Sequence, residues 1–403
     1  MTIYTDAKYL SDELVRLRRS LHSEPEVGLL LPRTQEKVLA ALDGLPLEIS
    51  TGTGLSSVIA VLRGGRPGPV VLLRADMDAL PVAEETGLEF ASKVEGVMHA
   101  CGHDLHTAML VGAAHLLAAR REDLAGDVVF MFQPGEEGCD GAGVMINEGV
   151  LEAAGRRPVA AYALHVFTTG FPGGLFTARS GPTMAATNDL NVAVHGVGGH
   201  GSAPHQAKDP LPAACEIVTA LQTMVTRTTD PFDPVVLTVG SFHAGTRRNV
   251  IPESVRFEAT VRTFSAAAQD RIGEAAVALV RSIASAHGLH AEVQFASRYP
   301  VTVNDQREVG FVASTVREVF GEHRFQALAH PLTGAEDFSR VLEQVPGTLA
   351  ILGACPPEAD LDKVPYNHSP HVVFDETVLP DGSALYAELA VRRLAAGPTG
   401  TTG

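Results

Sequence analysis

Residues 128–137 have the sequence VVFMFQPGEE, in which a short apolar run ends directly in a polar loop. The run is typical of a buried strand, and the loop carries the adjacent carboxylates of Glu136 and Glu137. The same order occurs at residues 70–78, VVLLRADMD, which end in two aspartates, and at residues 159–165, VAAYALH, which end in a histidine. Because open α/β sheets build their sites beyond the carboxyl ends of strands, we expect these loops to converge.

Predicted helices alternate with these strands through most of the chain. Apolar residues recur at helical spacing over residues 6–21, 34–42, 107–120, 142–152, 307–320 and 378–394, and uniformly apolar runs occur at residues 58–62, 70–73, 128–132, 159–165 and 348–352. Strands that are apolar throughout are buried on both faces, which is typical of parallel sheets. The sequence therefore predicts the α/β class, with a mixed, largely parallel sheet.

The pattern changes near residue 183. A strand (189–194), a helix (210–227), two strands (235–242 and 255–262), a helix (266–287) and a strand (289–295) follow in that order. This order is typical of the split βαβ unit of ferredoxin-like domains. We therefore predict an α/β domain, residues 1–182 and 299–396, interrupted by an inserted α+β domain, residues 183–298. The Gly- and Thr-rich tail, residues 397–403, is predicted to be flexible.

Composition excludes several classes of protein. The 403 residues include 31 basic and 47 acidic ones, a formal charge of −16, which argues against binding to nucleic acid or to anionic membranes. No apolar run reaches the roughly 18 residues of a membrane span, and the polar N-terminus lacks the layout of a signal peptide. Four cysteines do not form a disulfide scaffold. These features predict a soluble, cytoplasmic protein without nucleic-acid or membrane partners.

Residues that can bind metal are concentrated in the predicted loops. Residues 99–106, HACGHDLH, hold several potential ligands, and His165 and His368 add two more. Thiolate, imidazole and carboxylate together suit Zn²⁺, Mn²⁺, Co²⁺ or Ni²⁺ rather than Ca²⁺ or Mg²⁺. Five or more ligands exceed the needs of one tetrahedral ion and favour two metals. The adjacent Glu136 and Glu137 suggest that one carboxylate binds metal while its neighbour acts as a base.

Each of these residues taken alone also has a purely structural interpretation. A single cysteine is usually a small buried hydrophobic residue, and adjacent glutamates usually belong to a solvated surface. A histidine that ends a strand usually makes structural hydrogen bonds, and Asp76 and Asp78 could cap the following turn. What favours the metal site is that most of these residues lie in loops just after predicted strands, where they can converge.

The inserted segment has candidate residues of its own. Residues 197–205, VGGHGSAPH, flank His200 with glycines, so this loop can approach a ligand closely. Asn249 and Arg262 could bind a carboxylate through an amide donor and a guanidinium. The alternative for these two residues is an ordinary surface strand with polar ends.

Eight motifs together resemble a known family. In chain order they are RRSLHSEPE (18–26), RADMDALP (74–81), HACGHDLH (99–106), QPGEE (133–137), GGHGSAPH (198–205), NVIP (249–252), EDFS (336–339) and HSP (368–370). They resemble the metal-dependent amidohydrolase branch of the aminoacylase/carboxypeptidase superfamily, which includes hippurate hydrolases, indole-acetyl-amino-acid hydrolases and N-acyl-amino-acid amidohydrolases. The resemblance covers nearly the whole chain.

The resemblance implies a role for each matching residue in the catalytic domain. The implied ligands of two divalent metal ions are Cys101, His103, Glu137, His165 and His368, with Cys101 as the bridging thiolate. Glu136 matches the general base. Asp78 matches a carboxylate that orients a ligand or Glu136.

For the inserted domain the resemblance implies a lid that also dimerises. His200 matches a histidine that reaches the scissile carbonyl across a dimer interface, and Asn249 and Arg262 match positions associated with the carboxylate of the substrate. The implied assembly is a homodimer or larger homo-oligomer. The implied reaction is hydrolysis of the amide bond of N-acyl-L-amino acids. A dipeptidase or carboxypeptidase, and a catalytically inactive metal-containing binding protein, are the alternatives.

Overall fold

The structure is a computed structural model that describes residues 2–396. The predicted flexible tail, residues 397–403, lies outside the described residues. The α-helices are α1 (Ile3–Tyr9), α2 (Ser11–His22), α3 (Pro32–Leu42), α4 (His103–Ala118), α5 (Gly141–Asn147), α6 (Pro210–Thr228), α7 (Ala266–Ala286), α8 (Gln306–Phe320), α9 (Ser339–Leu342) and α10 (Leu379–Ala395). None of the helices in residues 2–396 has the length and hydropathy of a membrane span.

The strands follow the chain from residue 47 to residue 355. They are β1 (Leu47–Thr51), β2 (Val58–Leu62), β3 (Arg66–Asp76), β4 (Ala125–Gln133), β5 (Ala160–Pro172), β6 (Phe176–Ala178), β7 (Gly181–Met184), β8 (Ala186–His195), β9 (Gly199–His200), β10 (Val235–Ala244), β11 (Val250–Ile251), β12 (Ser254–Thr263), β13 (His290–Tyr299), β14 (Thr302–Asn304), β15 (Phe325–Ala327) and β16 (Gly347–Cys355).

The main sheet has eight strands in the order β1-β2-β4-β3-β5-β16-β6-β15. The central pairs β3–β4, β3–β5 and β5–β16 are parallel, as is β6–β15, whereas β1–β2, β2–β4 and β6–β16 are antiparallel. Helices α4 and α10 contribute to the core of this sheet. On α10, the hydroxyl of Tyr386 donates to the Arg74 carbonyl (2.6 Å) and accepts from the Leu164 amide (2.8 Å), which joins β3 to β5. The predicted α/β fold with a mixed, largely parallel sheet is confirmed.

The helix predicted over residues 6–21 is broken into two, and the helix predicted over residues 142–152 ends at Asn147. The prediction of a single helix over residues 6–21 was wrong, because α1 ends and α2 begins at Leu10. The Leu10 amide donates to the carbonyl of Ala7, three residues back, which closes a tighter turn than an α-helix has. Since only Leu10 lies between the helices, the apolar spacing continues across the break and conceals it in the sequence.

The chain forms two compact units. The first comprises the described residues up to Thr183, Val303–His330 and those from Asp337 on, and the second comprises Met184–Thr302 and Pro331–Glu336. The predicted insertion, residues 183–298, did not include the short return segment. The amide of Ala185 donates to the carbonyls of Leu332 (3.1 Å) and Gly334 (2.9 Å), a long-range contact that no local pattern signals.

The second unit is built on an antiparallel sheet of four strands in the order β10-β12-β8-β13. In β8 every second residue is buried, so one face of the strand lies in the core with residues of α6 and α7. The strand order places β12 between β8 and β10, which is the arrangement of a split βαβ unit. The lid and dimerisation roles of this unit stay predictions.

Candidate metal centre

Parallel strands bring the predicted site loops to one edge of the main sheet. In the register of β3 and β4, Asp76 lies opposite Gln133, so the loops that follow both strands begin side by side. Strand β5 is parallel to β3 on its other side and carries His165. This alignment explains why loops far apart in the sequence contribute to one cluster.

The loop that carries Cys101 depends on a glycine. Gly102 has a left-handed φ of 86°, and a Cβ at this position would lie 2.3 Å from Cγ2 of Val166. Only glycine allows α4 to begin this close to β5. As a result, Cys101 and His103 lie on either side of the turn into α4, next to the strand that carries His165.

A second loop is fastened to the first. The His368 amide donates to the Ala100 carbonyl (2.8 Å), and Nδ2 of Asn367 donates to the carbonyls of Cys101 (3.3 Å) and Val166 (2.9 Å). His368 itself has a left-handed φ of 73°, which is uncommon for a residue with a side chain. These contacts hold the His368 ring over Cys101.

The structure brings all five predicted metal ligands together. Their donor atoms form two sets, Cys101–His103–His165 and Cys101–Glu137–His368, and within each set the atoms lie within 4.8 Å of one another. Sγ of Cys101 lies 3.5 Å from Nε2 of His165 and 3.3 Å from Nε2 of His368. That same nitrogen of His368 lies 3.2 Å from Oε1 of Glu137. Because both sets contain Cys101, a single thiolate could bridge two ions.

The donor chemistry fits a divalent transition metal. One thiol, three imidazoles and one carboxylate are the groups that such ions prefer. His103 is fully buried, yet neither ring nitrogen has a hydrogen-bond partner among residues 2–396. Contacts with Cys101 and Glu137 raise the pKa of His368 to about 10, so without a cation the ring carries a proton that metal binding would displace.

The tautomer of His165 is fixed by the backbone of the next residue. Nδ1 lies 2.9 Å from the Val166 carbonyl oxygen, and because a carbonyl only accepts, Nδ1 must carry the proton. The lone pair is therefore on Nε2, the nitrogen nearest Cys101. Burial, with His106 beside it, lowers the pKa of His165 well below the usual value, so the ring is neutral. A neutral imidazole with an available lone pair is the form that binds metal.

His106 lies one helical turn after His103 but its nitrogens are already used. Nε2 accepts from the Val166 amide (2.8 Å), so Nδ1 carries the proton and donates to Oδ1 of Asp76 (2.5 Å). Burial alone would raise the pKa of Asp76, but Arg74, His103 and His106 hold it well below the usual range, so it is an anion. Although Asp76, His103 and His106 are close enough to form a metal site, these hydrogen bonds give His106 a positioning role.

Asp78 holds the adjacent glutamates. Oδ1 accepts from the Glu136 amide and Oδ2 from the Glu137 amide, both at 3.0 Å. Oδ1 also lies 3.5 Å from Nδ1 of His103. Carboxylate oxygens of Glu136 and Glu137 lie within 4.8 Å of each other and of a nitrogen of His103. The structure thus places Asp78 where it fixes the backbone of both glutamates.

The other predicted site residues belong to the second unit. His200 on β9 pairs with Val250 on β11, and the Gly201 amide donates to the Asn249 carbonyl (2.8 Å). His200 and Asn249 therefore share one two-stranded ribbon. Arg262 lies on β12, where Nη1 donates to Oγ1 of Thr187, and burial lowers the pKa of its guanidinium.

The sequence matches a family model over most of its length. Residues 72–392 match peptidase family M20/M25/M40. The chain belongs to this family. The resemblance described from the motifs is confirmed, and the protein is a metal-dependent hydrolase of amide or peptide bonds.

Relatives of this M20-family enzyme include peptidases and deacetylases. The thermostable carboxypeptidase 1 of Saccharolobus solfataricus is 37% identical over 391 residues, 96% of this chain and 97% of that protein. The N-acetyl-L-cysteine deacetylase of Bacillus subtilis is 36% identical over 392 residues, 96% of this chain and 89% of that protein. The crystal structure of Bacillus subtilis YXEP, a dinuclear metal binding peptidase of the M20 family, has a TM-score of 0.82 at 32% identity and covers 96% of this chain and 99% of that one.

In this M20-family enzyme a buried hydrogen-bond network supports the candidate metal centre. The sequence patterns did not predict this network. Arg74 donates from Nε to Oε1 of Gln133 (2.8 Å), from Nη1 to Asp76 (2.6 Å) and from Nη2 to Asp337 (3.0 Å). Asp337 also accepts from Gln133 Nε2 (2.8 Å) and from the Ala142 amide (3.0 Å). All four side chains in this network belong to the quoted motifs. The sequence therefore pointed to the residues, but it did not show which of them are in contact.

Proposed function

We propose that the enzyme hydrolyses the amide bond of N-acyl-L-amino acids with the help of two divalent transition-metal ions, and releases a carboxylic acid and a free amino acid. The observation that carries this proposal is the pair of three-donor sets that share Cys101, with Glu136 beside them. The similarity to the N-acetyl-L-cysteine deacetylase adds support for an N-acyl substrate.

The residues would divide between two ions. Cys101, His103 and His165 would hold one ion, and Cys101, Glu137 and His368 the other. The chemistry that the two ions would supply when bound is the activation of water, whose pKa would fall toward about 7 so that hydroxide is available at neutral pH. The donor set suits Mn, Zn, Co and Ni alike, and geometry and availability decide among them.

The remaining side chains would move protons and bind the substrate. Glu136 would take the proton of the attacking water and later deliver it to the leaving amine. Asp78, bonded to both glutamate amides, would hold Glu136 in place for this transfer. His200 would donate a hydrogen bond to the oxygen of the scissile carbonyl as negative charge develops there.

Asn249 and Arg262 are proposed to bind the carboxylate of the amino acid, the first as an amide donor and the second as a guanidinium. The homodimer or larger homo-oligomer, the lid role of the second unit and the cytoplasmic location also stay predictions. The family membership, with Glu136 and all five candidate ligands present, argues against the alternative of an inactive binding protein.

A second candidate function is cleavage of peptides. It is favoured by the thermostable carboxypeptidase, which is as similar to this chain as the deacetylase. The two functions differ in the substrate's amino terminus, which is acylated in one case and a free amine in the other.

A substrate panel separates these functions. The enzyme is stripped of metal, reloaded separately with Mn, Zn, Co and Ni, and given N-acetyl, N-benzoyl and long-chain acyl amino acids beside dipeptides with free amines. We expect metal-dependent release of amino acid from the acyl series and little from the dipeptides. The reverse preference would favour the peptidase, and no release from any amide despite bound metal would contradict both.

A further inference from the structure

The backbone forms a tight turn at His200, and the ring of His200 is hydrogen-bonded to this turn. The Ala203 amide donates to the His200 carbonyl (2.8 Å), which closes a turn of four residues with Ser202 inside it. The Ser202 amide lies 3.1 Å from Nδ1 of His200, and the Ser202 hydroxyl oxygen lies 2.8 Å from the same nitrogen. The ring is exposed, and among residues 2–396 it makes no other hydrogen bond.

These two contacts determine where the ring proton sits. A backbone N–H can only donate, so Nδ1 of His200 is the acceptor and carries no proton while this hydrogen bond is made. A neutral imidazole has one N–H, which must then be on Nε2. The hydroxyl of Ser202 can donate to Nδ1 as well and so stabilises the same tautomer.

We propose that Ser202 is a positioning residue that fixes the Nε2–H tautomer of His200, so that His200 acts as a hydrogen-bond donor and not as a base. The inference rests on the proposed amide hydrolysis only for the group that receives the bond, the carbonyl oxygen of the substrate. A donor held in place before the reaction stabilises developing charge without having to reorient.

The surrounding glycines keep this turn in place. A Cβ on Gly201 would lie 3.2 Å from the backbone of Asn249, and a Cβ on Gly199 would lie 2.8 Å from Cβ of Ala207. The loop therefore lies against its neighbours on both sides of His200. With the backbone held in this way, the orientation of the ring depends on Ser202.

The tautomer can be measured directly by NMR. The protein is labelled with ¹⁵N-histidine, and long-range proton–nitrogen correlations are recorded at about pH 8.5, where an ordinary histidine is neutral. His200 is assigned from the signal that His200→Gln removes. We expect Nδ1 of His200 to be unprotonated and Nε2 to be protonated. A protonated Nδ1, or equal populations of both tautomers, would overturn the inference.

Variants at Ser202 test its contribution. Ser202→Ala keeps the backbone donor but removes the hydroxyl, so we expect the other tautomer to become visible and kcat to fall about threefold to tenfold. KM should hardly change, because the lost stabilisation belongs to the transition state. Ser202→Thr, which keeps the hydroxyl, should restore the tautomer. Ser314→Ala is the control, because among residues 2–396 that hydroxyl bonds to carbonyls of α8 alone.

Each outcome decides a different point. An unchanged tautomer and kcat in Ser202→Ala would overturn the role of Ser202, and a changed tautomer with unchanged kcat would overturn its link to catalysis. If the wild-type enzyme hydrolyses no amide at all, the proposed function fails, while the NMR measurement still decides whether the tautomer is fixed.

Discussion

Nδ1 of His106 lies 2.5 Å from Oδ1 of Asp76, and this contact distinguishes a positioning histidine from a candidate metal ligand on the same helix. His103 and His106 are one turn apart on α4, and by sequence either could bind metal. His106 uses both nitrogens in hydrogen bonds, whereas His103 leaves both without such a partner among residues 2–396. The contact links the Asp76 anion, through His106, to the backbone next to His165.

Replacing His106 should therefore weaken metal binding without removing a ligand. We expect His106→Ala to raise the dissociation constant for zinc about tenfold to a hundredfold, since the His165 segment loses its support. The constant is measured by competition with a chelator. His115→Ala is the matched control on α4, because Nε2 of His115 is hydrogen-bonded to the carbonyl of Ala41, which is not part of the candidate metal centre. Equal losses in both variants would point to a general effect on the helix.

Replacing Glu136 should separate metal binding from turnover. Glu136→Gln keeps the size of the side chain but cannot take a proton, so we expect kcat to fall about a hundredfold to ten-thousandfold with metal content unchanged. Metal content is measured by mass spectrometry and turnover by amino-acid release. Glu137→Gln should instead lower the metal content. Turnover like that of the wild type in Glu136→Gln would exclude Glu136 as the base.

Replacing Cys101 should affect both metal positions, because both donor sets contain its thiol. A serine hydroxyl keeps its proton at neutral pH and is a poor ligand, so we expect Cys101→Ser to lower the number of metal ions bound per chain. In enzyme loaded with Co²⁺, the variant should also lack the thiolate-to-cobalt absorption band. Cys355→Ser is the control, because Cys355 is also buried but lies outside both sets. Full metal occupancy in Cys101→Ser would contradict the bridging role.

The stability of the fold should depend on Glu84 in a pH-dependent way. Burial alone would raise the pKa of Glu84, but hydrogen bonds from His22, Thr86 and the Ser92 amide lower it to about 2 from the usual 4.5. A depressed pKa in the folded state means that the charged carboxylate stabilises the fold above about pH 4.5, and that this stability is lost as the pH falls through 2.

We therefore expect Glu84→Gln to lower the unfolding temperature at pH 5.5, and to have a much smaller effect near pH 2. His22 is also charged at pH 5.5, because burial lowers its pKa but Asp104 and Glu84 raise it by more. Calorimetry at both pH values measures the difference. The neighbouring Glu85, with 64% of its side chain exposed, supplies the control Glu85→Gln. An equal shift at both pH values would contradict the assigned ionisation.

Several elements were predicted closely because the signals that define them are local. The strand at residues 58–62 and the helix at 210–227 match β2 and α6 to within one residue, since apolar runs and periodicity follow directly from burial. The edge strand β1 was not predicted, because most of its residues are exposed and it lacks an apolar run. The break at Leu10 was also missed, since the turn there leaves the apolar spacing intact.

The sequence by itself determined the class of fold, the family and the chemical types of the candidate ligands, because strand burial and side-chain chemistry are properties of short segments. Only the tertiary structure decided which of these residues form the donor sets and which of them support the donors. It assigned Cys101 to both donor sets, gave His106 and Asn367 supporting roles, and fixed the tautomers of His165 and His200. These results depend on distances between atoms from different loops, and spacing along one chain does not specify such distances.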